Sequence, residues 1–261
     1  MKKLFAMILS LTMALSLAAC GGEEPAPEAE GDGEAALTTV ESGKLIMSTN
    51  AQFPPYEMVA DDGTFEGIDV EVAGLIAEKL GLELIVDDMD FDGALLAVQN
   101  GKSDMVMAGL TVSEERDKVM DFTSSYAKGV QVVIVNEGSD VTLDNMGEKM
   151  IGVQRGTTGN IYCADEFGED HVTPYDDGAV AVQALKNGQV DCVVIDNAPA
   201  KSYVEANEGL TILDTEYANE DYAIAVAEGN TALQTAINDA LVALIEDGTV
   251  QTVVEKYIPA N

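Results

Sequence analysis

Two rhythms of apolar and polar residues run along this chain: short, nearly continuous apolar runs like those of buried parallel strands, and longer stretches with apolar positions every three or four residues. Residues 44–49 (KLIMST) predict a strand, and 50–57 (NAQFPPYE) a loop stiffened by Pro54 and Pro55. Asp61, Asp62 and Gly63 predict a turn. Asp69 then predicts the cap of a helix that carries Val72, Leu75, Ile76 and Leu80 on one face and ends at Gly81. Residues 82–86 return as a strand, 91–99 form a helix closed by Asn100 and Gly101, and 105–110 read as a buried strand. The almost wholly apolar run 130–135 leads to a second unit. There, 150–154 is a strand, 155–160 (RGTTGN) a loop, 161–167 and 180–185 are helices, and 190–195 is a strand that delivers Asp196. Residues 221–227 form a return strand. A long helix from Thr231 places Leu233, Ile237, Leu241, Leu244 and Ile245 on one face and stops at Gly248, and 249–258 is the last helix.

An internal echo supports an α/β fold of two similar lobes: LAVQNGKSDMVMA at 96–108 lines up with QALKNGQVDCVVI at 183–195. In each, a helix ends at Asn-Gly, two residues intervene, an Asp follows and an apolar strand begins. The two strand ends are then comparable places, one followed by Thr111 and Arg116 and the other by Asp196.

Ahead of the body, residues 1–19 open with two lysines, an apolar run and small residues, the layout of a secretory signal peptide. LAAC at 17–20 resembles the lipobox of bacterial lipoproteins, which makes Cys20 the expected lipidation site. Residues 20–42, rich in Gly, Pro, Ala and Glu, read as an acidic flexible tether to a body that begins near Gly43. With 47 acids against 13 bases, the formal charge of −34 argues against nucleic acid or an anionic membrane surface as a partner. Cys163 and Cys192 are open to two readings, one disulfide or two buried thiols; no CxxC or Cys/His spacing suggests a metal.

The candidate chemistry lies after the strands. Thr111 and Ser113 suit a helix N-cap, and Glu114 and Glu115 suit a first turn, where Arg116 opposes the dipole. Either Arg116 pairs with Glu115 or Asp121, or it grips an anionic ligand together with the Thr111 hydroxyl and backbone amides. Gly156, Thr157, Thr158 and Gly159 offer a second anion contact. Asp196 offers a seat for an ammonium, or else a turn former beside Asn197 and Pro199. Phe53 and Tyr56 are aromatic platforms or core plugs, and Arg155 is open to a ligand, a cross-cleft ion pair or solvent. No nucleophile elbow is present, and the single histidine, His171, sits in a polar loop, so no enzymatic activity and no cofactor are expected.

GLTVSEER followed by VMDF, with PPYE, GIDVEVAGLIAEKLGL, NGKSD, GTTG, NGQVD and the closing DGTVQTVVEKYI, resembles the polar amino-acid-binding proteins of bacterial ABC importers, extracellular solute-binding protein family 3. The resemblance runs from about residue 44 to 258. It implies a two-lobed periplasmic-binding-protein fold of type II with two hinge crossover strands, near 128–133 and 221–226. Lobe 1 would hold residues 43–127 and 222–261, and lobe 2 residues 128–221. It implies that Arg116 forks onto the α-carboxylate of a bound amino acid, with help from Gly109, Thr111 and Thr158. Asp196 would take the α-ammonium, and Phe53 and Phe91 would sandwich the side chain. Asn50 stands where relatives that bind basic amino acids, and some that bind glutamine, carry an aspartate. With Gln154 and Ile195 also facing the side chain, a neutral polar amino acid is expected. The resemblance further implies a monomeric receptor outside the cell membrane, anchored through Cys20 and partnered by an ABC permease. The rival readings are an enzyme on the same scaffold, such as a lyase or dehydratase using a cleft carboxylate, and a sensor module acting through a membrane partner.

Overall fold

The computed structural model describes residues 37–214 and 216–259; the signal segment, Cys20 and the tether as far as residue 36 lie outside the described residues. Contacts of the body reach back past Gly43, since Leu37 packs against the core and the Val40 N–H donates to Asp104. Strand β1 (Lys44–Thr49) is followed by a small antiparallel ribbon of β2 (Gln52–Phe53), β3 (Glu57–Val59) and β4 (Phe65–Glu66). The sequence predicts only a loop there, because strands of two or three residues are too short to show a period.

Next come α1 (Ile68–Leu80), β5 (Glu83–Asp88), α2 (Phe91–Gln99) and β6 (Met105–Val106), with β5, β1 and β6 paired in parallel in that order. Two expectations fail in this stretch. Asp69 does not cap α1: Gly67 occupies the cap position, and the buried Asp69 carboxylate accepts from the Gly109 N–H and the Tyr126 hydroxyl. Strand β6 ends after two residues, although burial continues through Leu110. At Gly109 the backbone turns with φ of 51°, and the chain beyond it joins a different strand, Thr111 bridging Tyr222. Arg116–Lys118 is a single 3-10 turn and not the start of an α-helix, so Arg116 opposes no macrodipole.

The 17-residue strand β7 (Met120–Asn136) then leads to β8 (Ile151–Gln154), α3 (Thr158–Phe167), β9 (Val172–Tyr175), α4 (Gly178–Lys186) and β10 (Cys192–Asp196). Helix α3 begins three residues earlier than expected, because the Thr157 side chain accepts the Asn160 N–H and caps it. The chain closes with α5 (Asn197–Ala206), β11 (Leu210–Ile212), β12 (Ala218–Ala227), α6 (Thr231–Glu246) and α7 (Thr249–Tyr257).

The main sheet runs β5-β1-β6-β12-β7-β10-β8-β9, with β11 also on β7. Strands β7 and β12 are antiparallel partners at its centre, with Lys128 opposite Asp221, and they join the half built on β1, β5 and β6 to the half built on β8, β9 and β10. The two connections expected at 128–133 and 221–226 fall inside this pair. Helices α1, α6 and α7 cover one face of the first half through Val72, Ile76, Leu233, Ile237 and Leu241. Ile245 was expected on that buried face but is 38% exposed, because it lies one residue, about 100°, round from Leu244. On the other face, Phe91, Ala94 and Val98 of α2 pack on Val106, Leu110 and Met120. In the second half, Cys163 of α3 packs with Val153 and Cys192, and both cysteines are buried free thiols.

The sequence echo has a structural meaning. Asp104 accepts the Ile46 N–H at the start of β1, and Asp191 accepts the Met150 N–H just before β8. Each aspartate therefore pins the strand that runs parallel to its own.

Candidate functional site

The strands of each half end on one side, where their loops converge. Asn50 follows β1, Gly109 and Thr111 follow β6, Gln154 ends β8, Thr158 opens α3 and Asp196 ends β10. All nine candidates, Asn50, Phe53, Phe91, Gly109, Thr111, Arg116, Gln154, Thr158 and Asp196, line one pocket, joined by Glu57, Ala108 and Thr157. About 310 Å³ within it is free of protein atoms, open solvent at its mouth included.

Arg116 is 7% exposed and pairs with neither Glu115 nor Asp121. Its guanidinium donates to the Thr111 carbonyl at 2.7 Å and, from the other half, to the Gly156 carbonyl at 3.1 Å, and it lies 5.4 Å from the Phe91 ring centre. Burial lowers its pKa, while Glu220, Tyr162, Asp196 and Asp92 oppose that shift. Beside it, Thr157 takes the Asn160 and Ile161 N–H groups of α3, while those of Thr158 and Gly159 have no partner within the helix.

Asp196 occupies the cap position of α5 but makes no side-chain cap. Its carboxylate accepts instead from the Tyr222 hydroxyl and from Gln131 Nε2, the latter at 2.9 Å. Burial, and then the charge of Glu220, push its pKa up to about 8. A buried cation and a buried carboxyl group thus share one enclosure.

Phe53 and Phe91 are buried walls, and Phe53 packs so closely on Gly109 that a Cβ there would lie 2.7 Å from its ring. Tyr56 instead sits in the core, edge-on to Tyr222. At the far end, Gln154 Nε2 donates to Asn50 Oδ1 at 2.9 Å, an uncharged bridge between the halves, and Asn50 in turn donates to the Met89 carbonyl. The Tyr203 hydroxyl makes another bridge, to the Gln52 carbonyl at 2.7 Å.

Some expectations land elsewhere. Ile195 does not face the pocket; its side chain lies against Gly178. Arg155 is half exposed, 3.6 Å from Asp176 of its own half, and His171 lies away from the site with Nδ1 3.2 Å from the Lys149 carbonyl. Sequence reasoning missed Glu57, which is wholly buried with both carboxylate oxygens unpartnered. Burial first, and then Asp69 and Asp196, raise its pKa well above the ordinary value. The one signal in the sequence was a carboxylate directly after PPY, where the β2–β3 ribbon turns it inward.

A family model of the bacterial extracellular solute-binding proteins, family 3, matches residues 45–260. The chain belongs to this family. Its relatives include the L-cystine-binding protein TcyJ of Escherichia coli (strain K12), 31% identical over 225 residues that make up 85% of each chain. Among solved structures, a mutant of ArgBP from T. maritima matches with a TM-score of 0.79 at 36% identity, covering 84% of this chain and 96% of that one. An ancestral arginine-binding protein bound to glutamine matches with a TM-score of 0.80 at 38% identity, covering 84% and 100%. The fold is therefore the two-lobed periplasmic-binding-protein fold of type II, with β7 and β12 as its crossover strands. Family 3 is a family of extracellular solute-binding proteins, and membership gives the chain an extracytoplasmic location.

Proposed function

We propose that this family 3 protein is the receptor of an ABC importer, closing two lobes on a polar amino acid and handing it to a membrane permease. The lobes are residues 43–127 with 222–261, and residues 128–221. The observation that carries this reading is the joint burial of Arg116 and Asp196 in one pocket, beside the Thr158 and Gly159 amides that open α3. A guanidinium fork with hydroxyls and amides around it suits a carboxylate, and a strand-end carboxylate suits an ammonium. Together they complement the two charges that every amino acid carries. Arg116, Gly109, Thr111 and Thr158 take the α-carboxylate, and Asp196 takes the α-ammonium. Phe53 and Phe91 flank the side chain, and the uncharged Asn50–Gln154 pair meets its end, which favours a neutral polar side chain. Relatives are named for cystine, glutamine, histidine and arginine alike, so the neutral class rests on Asn50 and Gln154 and not on those names. The protein acts as a monomer, held at the outer face of the membrane by lipidated Cys20 and the acidic tether that follows. Closure follows from the ligand's better contacts in the closed state.

Calorimetric titration with the amino acids singly is the test. Arg116→Ala and Asp196→Ala each remove one partner of a buried charge pair, at about 2–5 kcal/mol, or about 30- to 5,000-fold in Kd. Circular dichroism should show the fold retained. Wild-type affinity in either variant would sink the site assignment.

A further inference from the structure

Asp196 has a neighbour that amino-acid capture leaves unused. Glu220, on β12, is 5% exposed, and Gln131, on β7, is 1% exposed. Gln131 Nε2 donates at 2.9 Å both to Asp196 Oδ2 and to Glu220 Oε2, so one amide holds two carboxyl groups side by side. Glu220 Oε1 and Gln131 Oε1 are buried without a hydrogen-bond partner. The cluster is rich in acceptors and short of hydrogens, and a bound proton supplies one.

We propose that Gln131 and Glu220 are positioning residues for Asp196: the Asp196–Glu220 pair holds one proton between its two carboxyl groups, and a ligand ammonium seated on Asp196 competes with that proton. The competition rests on the reading of Asp196 as the ammonium seat; the shared proton does not.

Two carboxylates held this close in a buried site do not both ionise unless positive charge reaches them. The cation that acts on both is Arg116, whose guanidinium already donates to the Thr111 and Gly156 carbonyls. Tyr222 donates to Asp196 from β12 and the Tyr162 hydroxyl of α3 hydrogen-bonds Glu220, while Tyr56 and Glu57 face the pair; none of the four brings positive charge. Gly129 keeps the Tyr222 contact open, since a Cβ there would lie 2.1 Å from the phenol oxygen. The upward shift of Asp196, to about 8, agrees with a proton retained at neutral pH.

The shared proton is tested without ligand, by urea unfolding of the purified protein from pH 5 to 8. A carboxyl group whose folded value lies above its unfolded one holds a proton that unfolding releases, so stability falls as pH rises through this window. The wild-type unfolding constant should rise with pH more steeply than that of Glu220→Gln, by up to about tenfold per unit. Equal slopes overturn the shared proton. The competition is tested by calorimetric titration with each amino acid from pH 6 to 8.5. Wild-type affinity should tighten as pH rises and level off near 8, Glu220→Gln should level off at a lower pH because burial alone then raises Asp196, and Gln131→Leu should level off at a higher pH. Gln131→Leu combined with Glu220→Gln should level off below Gln131→Leu alone, an outcome that a merely structural Gln131 would not give. A wild-type affinity independent of pH overturns the competition. Failure of every amino acid to bind removes the ammonium seat, and the competition with it, while the unfolding slopes still decide the shared proton.

Discussion

Replacing Asp104 with alanine removes the acceptor for two backbone N–H groups, those of Val40 and Ile46, each at 2.7 Å. The Ile46 bond is buried, and stranding that donor costs about 1–3 kcal/mol; the part-buried Val40 bond adds about 0.5–1.5 kcal/mol. We expect Asp104→Ala to lose about 2–4 kcal/mol of stability. Asp191 provides the internal control. It holds the matching place in the repeat, but it is exposed and accepts one exposed N–H, from Met150 at 2.8 Å. Water replaces that bond, so Asp191→Ala should lose no more than about 1 kcal/mol. For a body of this size the difference separates the melting temperatures by about 2–16 °C. Urea unfolding followed by far-UV circular dichroism, with both variants fitted to a common slope, measures the gap directly. Equal losses, or a larger loss in Asp191→Ala, would refute the argument that burial of the accepted N–H sets the cost.

Gly109→Ala places a Cβ in the left-handed region and 2.7 Å from the Phe53 ring, so it should destabilise by about 1–2 kcal/mol and weaken amino-acid binding by displacing that wall. Unchanged melting and unchanged Kd together would show that the wall is not packed as described. Asn50→Asp keeps the acceptor for Gln154 but gives the side-chain end a negative charge and loses the donor to Met89. Competition titrations should show preference moving from neutral amino acids toward arginine or lysine by about 1–3 kcal/mol. No gain for a basic ligand would count against this as the side-chain end.

Where periodicity and punctuation agree, the sequence is a good guide. The bounds of α2, Phe91–Gln99, follow from its apolar spacing and the Asn-Gly stop, and the NGKSD and NGQVD segments do place equivalent aspartates beside equivalent strands. Thr111, Arg116, Thr158 and Asp196 stood out from the residues alone because each lies where a strand gives way to a loop or helix; Asn50, Phe91, Gly109 and Gln154 came only with the family resemblance, and the fold gathers all of them with Phe53 around one pocket. Asp69 and Glu57 were not legible. An aspartate at a helix start reads locally as a cap, and only the Gly109 N–H and the Tyr126 hydroxyl, 40 and 57 residues away, turn it inward. The Thr111–Arg116 stretch likewise carries the local signs of a helix start. Pairing of Met120 onward with β12 leaves room for a single 3-10 turn, so tertiary structure overrides local preference.

The free thiols of Cys163 and Cys192 have a practical consequence. Burial pushes both up to about 12, so at neutral pH they are almost wholly protonated, whereas the thiolate is the form that reacts. From Leu37 onward they are the chain's only cysteines. Alkylation by a maleimide must therefore wait for the second half to open, and its rate becomes a clock for that opening. A solute held only by the folded state slows the clock through mass action, so occupancy can be followed by sulfhydryl chemistry with no label added.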